Sequence, residues 1–173
     1  MASSNVVKNF VDGTLVVRDG SVVPLNVTVR FDRGDLAISG LKQKLRETVA
    51  YETRGVTRTV RHTNRAYPSG SFSCLLTQFV DTGGTSAQLA DMIHGTTGSG
   101  FAARVSTLGT LADVMAFDLR FTAEGTNFGD SADHLVVLED CELSYDFAEG
   151  DPDSLTFNFV CYGAISGDLT VTV

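Results

Sequence analysis

The sequence of 173 residues predicts a mainly β protein: a β-sandwich or partly closed barrel of about eight strands, with one flanking α-helix and a long extended loop. Apolar and polar residues alternate with a period of two in most segments, which is the pattern of half-buried strands. Clusters of turn-forming residues separate these segments, and a clear helical pattern occurs only over about 86–94. The length suits a single domain, residues 1–173, that can bury a core of its own.

The first part of the chain, residues 13–40, predicts a meander of three strands. Asp19 and Gly20 lie between two apolar runs, and this dipeptide is typical of a hairpin turn. Positions 25–31 then alternate strictly between apolar and polar residues. A turn over 32–35 leads into the third apolar run, so we expect the strands to pair in chain order.

Residues 41–66 interrupt the alternation. They contain seven Lys and Arg but only two acids, for a net charge of +5, and their apolar residues are sparse. Neither a helical nor a strand period is convincing, so we expect a long basic loop over about 41–68. A connection of this length in a compact domain is usually functional or disordered. Its candidate contact residues are Lys42, Lys44, Arg46, Arg54, Arg58, Arg61 and Arg65.

The remaining segments return to recognisable elements. Alternation predicts strands over 69–80 and 114–122. Thr85 is a candidate N-cap for the helix because Gln88 follows three residues later, as in a capping box. Alternating residues on both sides of the turn-rich segment 148–154 predict a long closing hairpin.

Signals for catalysis are weak. Asp81 lies in a Val-Asp-Thr-Gly segment that resembles the catalytic turn of an aspartic protease, but a glycine-rich turn leading to the helix explains the segment better. The histidines are far apart, and no Cys or His occurs at the short spacing of metal sites. We therefore expect a protein that is not an enzyme and needs no cofactor.

The cysteines and the apolar runs bear on the cellular compartment. Cys74, Cys141 and Cys161 each lie in an apolar run, so we expect buried thiols in a reducing environment. No apolar run is long enough to span a membrane, and the N-terminus lacks the features of a signal peptide. Synthesis in a cytoplasm is expected.

Charge is divided unevenly along the chain. Residues 1–66 carry a net charge of +5, whereas residues 67–173 carry −13. The basic segment could bind nucleic-acid phosphates, as in a nucleic-acid-binding β-domain, although only Tyr51 and Tyr67 lie nearby for base stacking. It could instead contact the acidic region of another copy, head to tail, which gives a filament when the contact does not close on itself. Self-association explains both halves of the charge distribution, and nucleic-acid binding explains only one.

Taken together, these segments resemble the tail tube (major tail) proteins of long-tailed bacteriophages of the siphophage type. The order is an opening meander, a long loop that runs into a strand, a single helix and a closing hairpin. The segments that carry the resemblance are VKNFVDGTLVVRDG and VRFDRGDLAI, then RGVTRTVRHTNRAYPSGSFSCLL, LADMIHGTTG and LEDCELSYDFAEGDPDSLTFNFVCYG.

The resemblance implies a structural virion protein that self-assembles into stacked hexameric rings, the phage tail tube, a conduit for genome ejection. The partners it implies are further copies of the chain, a tape-measure protein, and tail tip and tail terminator proteins. The loop over 41–68 would contact the neighbouring subunit or ring. Assembly would take place in the bacterial host cytoplasm, and the final location would be the virion. A type VI secretion tube protein shares this architecture and is the alternative within the class.

The family's tube also implies an acidic lumen. A wall of the same charge as DNA offers phosphates no binding site, so phage DNA would pass through without specific binding. Acids that alternate away from the predicted core are the candidates, and their face could line either the lumen or the outer surface. They are Asp118, Asp140, Glu142 and Asp146.

Overall fold

The fold is described from a computed structural model, which describes residues 13–19, 25–29, 35–76, 88–94, 116–126, 129 and 131–169. Within these ranges the chain forms ten β-strands and one α-helix, which confirms the predicted mainly β fold. The elements are β1 (Gly13–Arg18), β2 (Asn26–Thr28), β3 (Ala37–Ser39), β4 (Arg46–Thr53), β5 (Val56–Arg65), β6 (Ser69–Leu75), α1 (Leu89–His94), β7 (Phe117–Ala123), β8 (His134–Ala148), β9 (Ser154–Cys161) and β10 (Ile165–Gly167).

Eight of these strands form one antiparallel sheet. Its order is β2-β1-β7-β8-β9-β6-β3, and β10 also pairs with β8. The path ends at β2 and β3, so the sheet is open, as in a β-sandwich, and does not close into a barrel. The 15-residue strand β8 is the centre of the sheet, because β7, β9 and β10 all pair with it. The predicted closing hairpin is confirmed by the pairing of β8 with β9.

The core lies against one face of this sheet, and the alternation of each strand explains which side chains it contains. Residues one apart on a strand point to opposite faces, so every second residue is buried. The helix α1 packs against the same core through Leu89 and Ile93. His94 at its C-terminal end contacts β8, where its Nε2 lies 2.8 Å from the hydroxyl of Tyr145. The buried strand residues include Leu15, Val17, Phe72, Cys74, Phe117, Leu119, Leu138, Leu143, Phe157 and Phe159.

The predicted three-strand meander is only partly correct. β1 and β2 do form an antiparallel hairpin, in which Val17 is opposite Val27. β3, however, pairs with β6 at the other edge of the sheet, where Ile38 is opposite Gly70. A Cβ atom at position 70 would collide with the carbonyl oxygen of Ala37 and with the ring of Phe159. The absence of a side chain at Gly70 therefore allows β3 to approach this edge.

The basic segment, predicted as a long extended loop, forms a hairpin of two strands. β4 and β5 pair with each other as a separate two-stranded sheet, which we call the arginine hairpin (Arg46–Arg65). Arg54 and Gly55 form its two-residue turn with φ values of +52° and +74°, the left-handed conformation that a type I′ turn requires. Among the described elements, no other strand and no helix makes an extensive contact with this hairpin.

Some predicted features lie outside the described residues: Asp81, the N-cap Thr85, the first positions of the predicted helix and the tip of the 32–35 turn. The described part of the helix is short, from Leu89 to His94. No helix in the described ranges has the length and apolar character needed to cross a membrane.

All three cysteines are buried free thiols, as predicted. Burial, with a smaller contribution from the nearby Asp35 carboxylate, raises the pKa of Cys74 to about 11. The reactive form of a cysteine is the thiolate, so we expect iodoacetamide at about pH 8 to alkylate Cys74 at least about a hundredfold more slowly in the native protein than in the protein in urea. Mass spectrometry of timed samples measures both rates. Rapid native labelling of Cys74 would mean that β6 opens readily.

Candidate functional site

The arginine hairpin has two faces, and its strand register defines them. On one face Val49 is opposite Arg61, Tyr51 is opposite Thr59, and Thr53 is opposite Val56. We call this the tyrosine face. On the other face, which we call the histidine face, Thr48 is opposite His62, Ala50 is opposite Val60, and Glu52 is opposite Thr57. A hydrogen-bonding contact of 3.3 Å between Thr48 Oγ1 and His62 Nδ1 lies on the histidine face.

Large apolar side chains of this hairpin are exposed. The exposed fractions are 40% for Val49, 49% for Tyr51 and 55% for Val56 on the tyrosine face, and 58% for Val60 on the histidine face. An isolated two-stranded sheet is marginally stable in water, because it cannot bury an apolar face by itself. Exposed apolar residues gathered on such an element indicate a surface for contact with another molecule.

The candidate basic residues all lie on this hairpin or at its base, and all are exposed. In the described part of the chain, no salt bridge or side-chain hydrogen bond joins Lys42, Lys44, Arg46, Arg54, Arg58 or Arg61 to another residue. Their charges are therefore not neutralised within the described protein. Arg65 differs, because its guanidinium lies 5.2 Å from the centre of the Tyr67 ring, in cation–π geometry.

This contact begins a chain of interactions that joins the base of the hairpin to the main sheet. The Tyr67 ring meets the Tyr162 ring edge to face, with 4.8 Å between their centres. The Tyr162 hydroxyl donates a hydrogen bond of 3.0 Å to Glu142 Oε2 on β8. Because this bond favours the protonated hydroxyl, it raises the pKa of Tyr162 above its usual value.

The candidate acids form a row on and beside β8. Asp140, Glu142 and Asp146 are exposed and lie on the face opposite the buried Cys141 and Leu143, as the alternation predicts. Asp146 accepts a long hydrogen bond of 3.4 Å from Asn158 Nδ2 on β9. The structure thus gathers these acids on the sheet face that points away from the core.

Asp118 lies beside this row on β7 and is half-buried. β8 has a β-bulge at this point, because Asp118 lies opposite two residues, Glu139 and Asp140. The backbone of Asp140 in the bulge has a φ of +53°. The backbone N–H of Asp140 donates a hydrogen bond to the Asp118 carboxylate. Burial nevertheless raises the pKa of Asp118, and the Asp140 charge adds to the rise, whereas Arg18 partly opposes it.

This environment predicts how replacement of Asp118 changes stability with pH. A carboxyl with a raised folded-state pKa contributes stability below its unfolded pKa, and that stability is lost as the pH rises through the folded pKa. The ionised group is therefore unfavourable at neutral pH. We expect Asp118→Asn to raise the urea midpoint slightly at about pH 7, because water screens a half-exposed charge, and the difference to disappear at about pH 3.

The exposed Asp146→Asn variant is the control, and its midpoint should stay close to that of the wild type at both pH values. A lower midpoint for Asp118→Asn at neutral pH would contradict this reading, since it would mean that the attraction of Arg18 outweighs burial.

The structure does not bring the predicted basic and acidic residues into contact with each other. The basic residues lie on a separate sheet, and no ion pair in the described residues joins the two groups. The sequence did not predict the exposed apolar residues of the hairpin or the contacts of Tyr162 with Tyr67 and Glu142. A period-two signal does exist at Val49 and Tyr51. Val56 and Val60 do not continue it, because the register shift between Tyr51 and Glu52 puts these two residues, four apart on β5, on opposite faces.

Comparisons with known proteins add no family to these observations. A scan of the chain against models of known protein families finds no match, and a search of curated proteins also finds none. Among the described residues, no group of three or more His, Cys, Asp or Glu side chains is placed to hold a metal ion.

Proposed function

We propose that this chain is the tail tube subunit of a long-tailed phage, a structural virion protein that self-assembles into stacked hexameric rings. The tube is the conduit through which the genome leaves the virion. The observation that carries the proposal is the arginine hairpin. It is separate from the main sheet, it exposes apolar side chains, and no ion pair in the described residues joins its Arg side chains to an acid.

The hairpin supports self-assembly because it needs a partner and a second copy offers one. The segment 41–66 carries +5 in a chain of net charge −8, so the rest of the chain carries −13. Copies therefore attract each other between unlike regions. Within the described residues the main sheet also ends in two edge strands, β2 and β3, and pairing between the edges of neighbouring copies would satisfy their backbone groups.

In this function the hairpin and its base are the contact to the neighbouring ring. Those residues are Lys42, Lys44, Arg46, Arg54, Arg58, Arg61 and Arg65. The acids Asp118, Asp140, Glu142 and Asp146 line the lumen, where they keep phage DNA from binding as it passes. The tape-measure protein occupies the lumen before ejection, and tip and terminator proteins close the two ends.

Electron microscopy of the purified protein tests the proposal. Negatively stained samples over a range of concentrations should contain rings or tubes, with seeding by tail tip components where growth is slow. A protein that stays monomeric under all conditions, including with its phage partners, is not a tube subunit. Neighbouring genes distinguish a phage tail from a type VI secretion tube.

One observation favours a second candidate function, nucleic-acid binding. The hairpin is a two-stranded ribbon with five exposed Arg side chains, and a ribbon of this kind fits the DNA major groove. This function predicts DNA binding by the isolated protein that weakens steeply with salt. The tube function predicts no such binding, so an electrophoretic mobility assay at two salt concentrations separates them.

A further inference from the structure

The two faces of the arginine hairpin differ in chemistry. The tyrosine face has Val49 and Tyr51 in adjacent same-face positions on β4, and Val56 completes the apolar surface near the turn. The histidine face has a single large exposed apolar residue, Val60, among Thr, Glu and His side chains. A sheet with one apolar face is the kind that packs that face against another layer.

We propose that the hairpin docks on a second copy of this chain through its tyrosine face, while the histidine face stays in water. Tyr51 is the anchor, and Val49 and Val56 are its apolar neighbours. This inference rests on the proposed function, and it names the surface and the partner that join one subunit to the next.

Charge complementarity indicates that the molecule bound at the tyrosine face is a second copy of the chain. The basic segment 41–66, which contains the arginine hairpin, has a net charge of +5, and the rest of the chain has a net charge of −13. The surface of another copy is therefore complementary in charge to this segment. Charge does not by itself hold the two together, because exposed ion pairs contribute little. A buried aromatic anchor surrounded by apolar contacts contributes far more to a protein interface.

The base of the hairpin is already positioned for this contact. Arg65, Tyr67, Tyr162 and Glu142 form a continuous path from β5 to β8, with a ring contact at its centre. This path restricts how the hairpin can be oriented relative to the main sheet. A hairpin with a restricted orientation loses less freedom when it docks.

Two matched substitutions test the choice of face. Val56→Thr and Val60→Thr change the same residue type on the same strand, at almost equal exposure, but on opposite faces. Both keep a β-branched side chain, so their effects on the hairpin itself are similar. We expect Val56→Thr to raise the concentration needed for association about fivefold, and Val60→Thr to change it by less than about twofold.

Sedimentation velocity over a concentration series measures association, and electron micrographs of the same samples show what forms. If the wild-type protein forms tubes and the two substitutions change its association equally, the docking face is wrong and the tube function stands. A clearly larger effect of Val56→Thr without rings or tubes would support the docking face and overturn the tube function, whereas a larger effect of Val60→Thr would overturn the docking face. Wild-type protein that never associates would overturn both.

A fluorescence measurement gives an independent answer. The chain contains no Trp, so Tyr51→Trp and Val60→Trp each introduce a single reporter, one on each face. On association the emission of the Tyr51→Trp variant should shift to shorter wavelength, because its indole leaves water, and that of Val60→Trp should not. A shift in Val60→Trp alone would reverse the assignment of the faces.

Discussion

Changing Arg54, Arg58 and Arg61 together to Glu is expected to abolish tube growth and to leave the far-UV circular dichroism of the β-sheet unchanged. The three residues are exposed and contact neither the core nor an acid in the described chain, so folding does not depend on them. The substitutions change the net charge of 41–66 from +5 to −1. Attraction to the acidic region of another copy becomes repulsion, which opposes the first encounter as well as the final contact.

The matched control replaces the same three residues with Lys, which keeps the charge and removes the planar guanidinium groups. Tubes formed by the Lys variant but not by the Glu variant would assign the effect to charge. Normal tubes from the Glu variant would show that electrostatic attraction by this hairpin is not needed for stacking.

Phe157→Ala is expected to lower the free energy of unfolding by about 3–5 kcal/mol, which is a large part of the stability of a typical domain. Phe157 lies on β9 and is completely buried. Its ring stacks on Phe72, with 5.1 Å between centres, and lies 5.4 Å from the Tyr145 ring centre. Removing it leaves a cavity between three strands that pair side by side, β6, β9 and β8. Urea unfolding followed by circular dichroism measures the change.

Phe147→Ala is the control, because it removes the same side chain from the neighbouring strand β8 at a position that is 49% exposed. We expect a loss below about 1 kcal/mol there. Phe147 lies on the same face as Phe157 but at the end of the strand, so equal losses would contradict the difference in burial between the two positions.

The elements that the sequence predicted well are those in which one face is buried. Alternation predicted strands over 69–80 and 114–122, and the apolar residues Phe72, Cys74, Phe117 and Leu119 in these segments are all buried. A strand with one buried face needs apolar residues at every second position, so the alternation in the sequence shows which residues face the core. The closing hairpin was predicted for the same reason.

The arginine hairpin could not be found in this way, because both of its faces are exposed in the single chain. Nothing in the part of the chain that the structure describes requires its residues to alternate between apolar and polar. Its turn was also missed, since Arg-Gly is not the Asn-Gly or Asp-Gly pair that usually indicates a type I′ turn. The pairing of β3 with β6 was missed because Gly70, which permits it, has no side chain to contribute to a pattern.

The sequence predicted which acidic and basic residues form the candidate site, but it did not predict how they are arranged. Alternation placed Glu142 and Asp146 on the outer face of β8, where the structure has them. It could not reveal the bulge at Asp140, which sets two carboxylates beside each other, because a bulge adds a residue without changing residue types. The path from Arg65 to Glu142 joins residues far apart in the chain, and a single sequence holds no signal of such contacts.

The shortness of the edge strands has a consequence for misassembly. β2 and β3 are each three residues long, so they give an incoming chain little backbone on which to start the continuous ladder of an amyloid fibril. Among the described strands, the longer unpaired edges belong to β4 and β5, with eight and ten residues. Two arginine hairpins repel each other through their like charge, which opposes a ladder between them. Aggregation is thus disfavoured at the same strands that we propose for ordered growth.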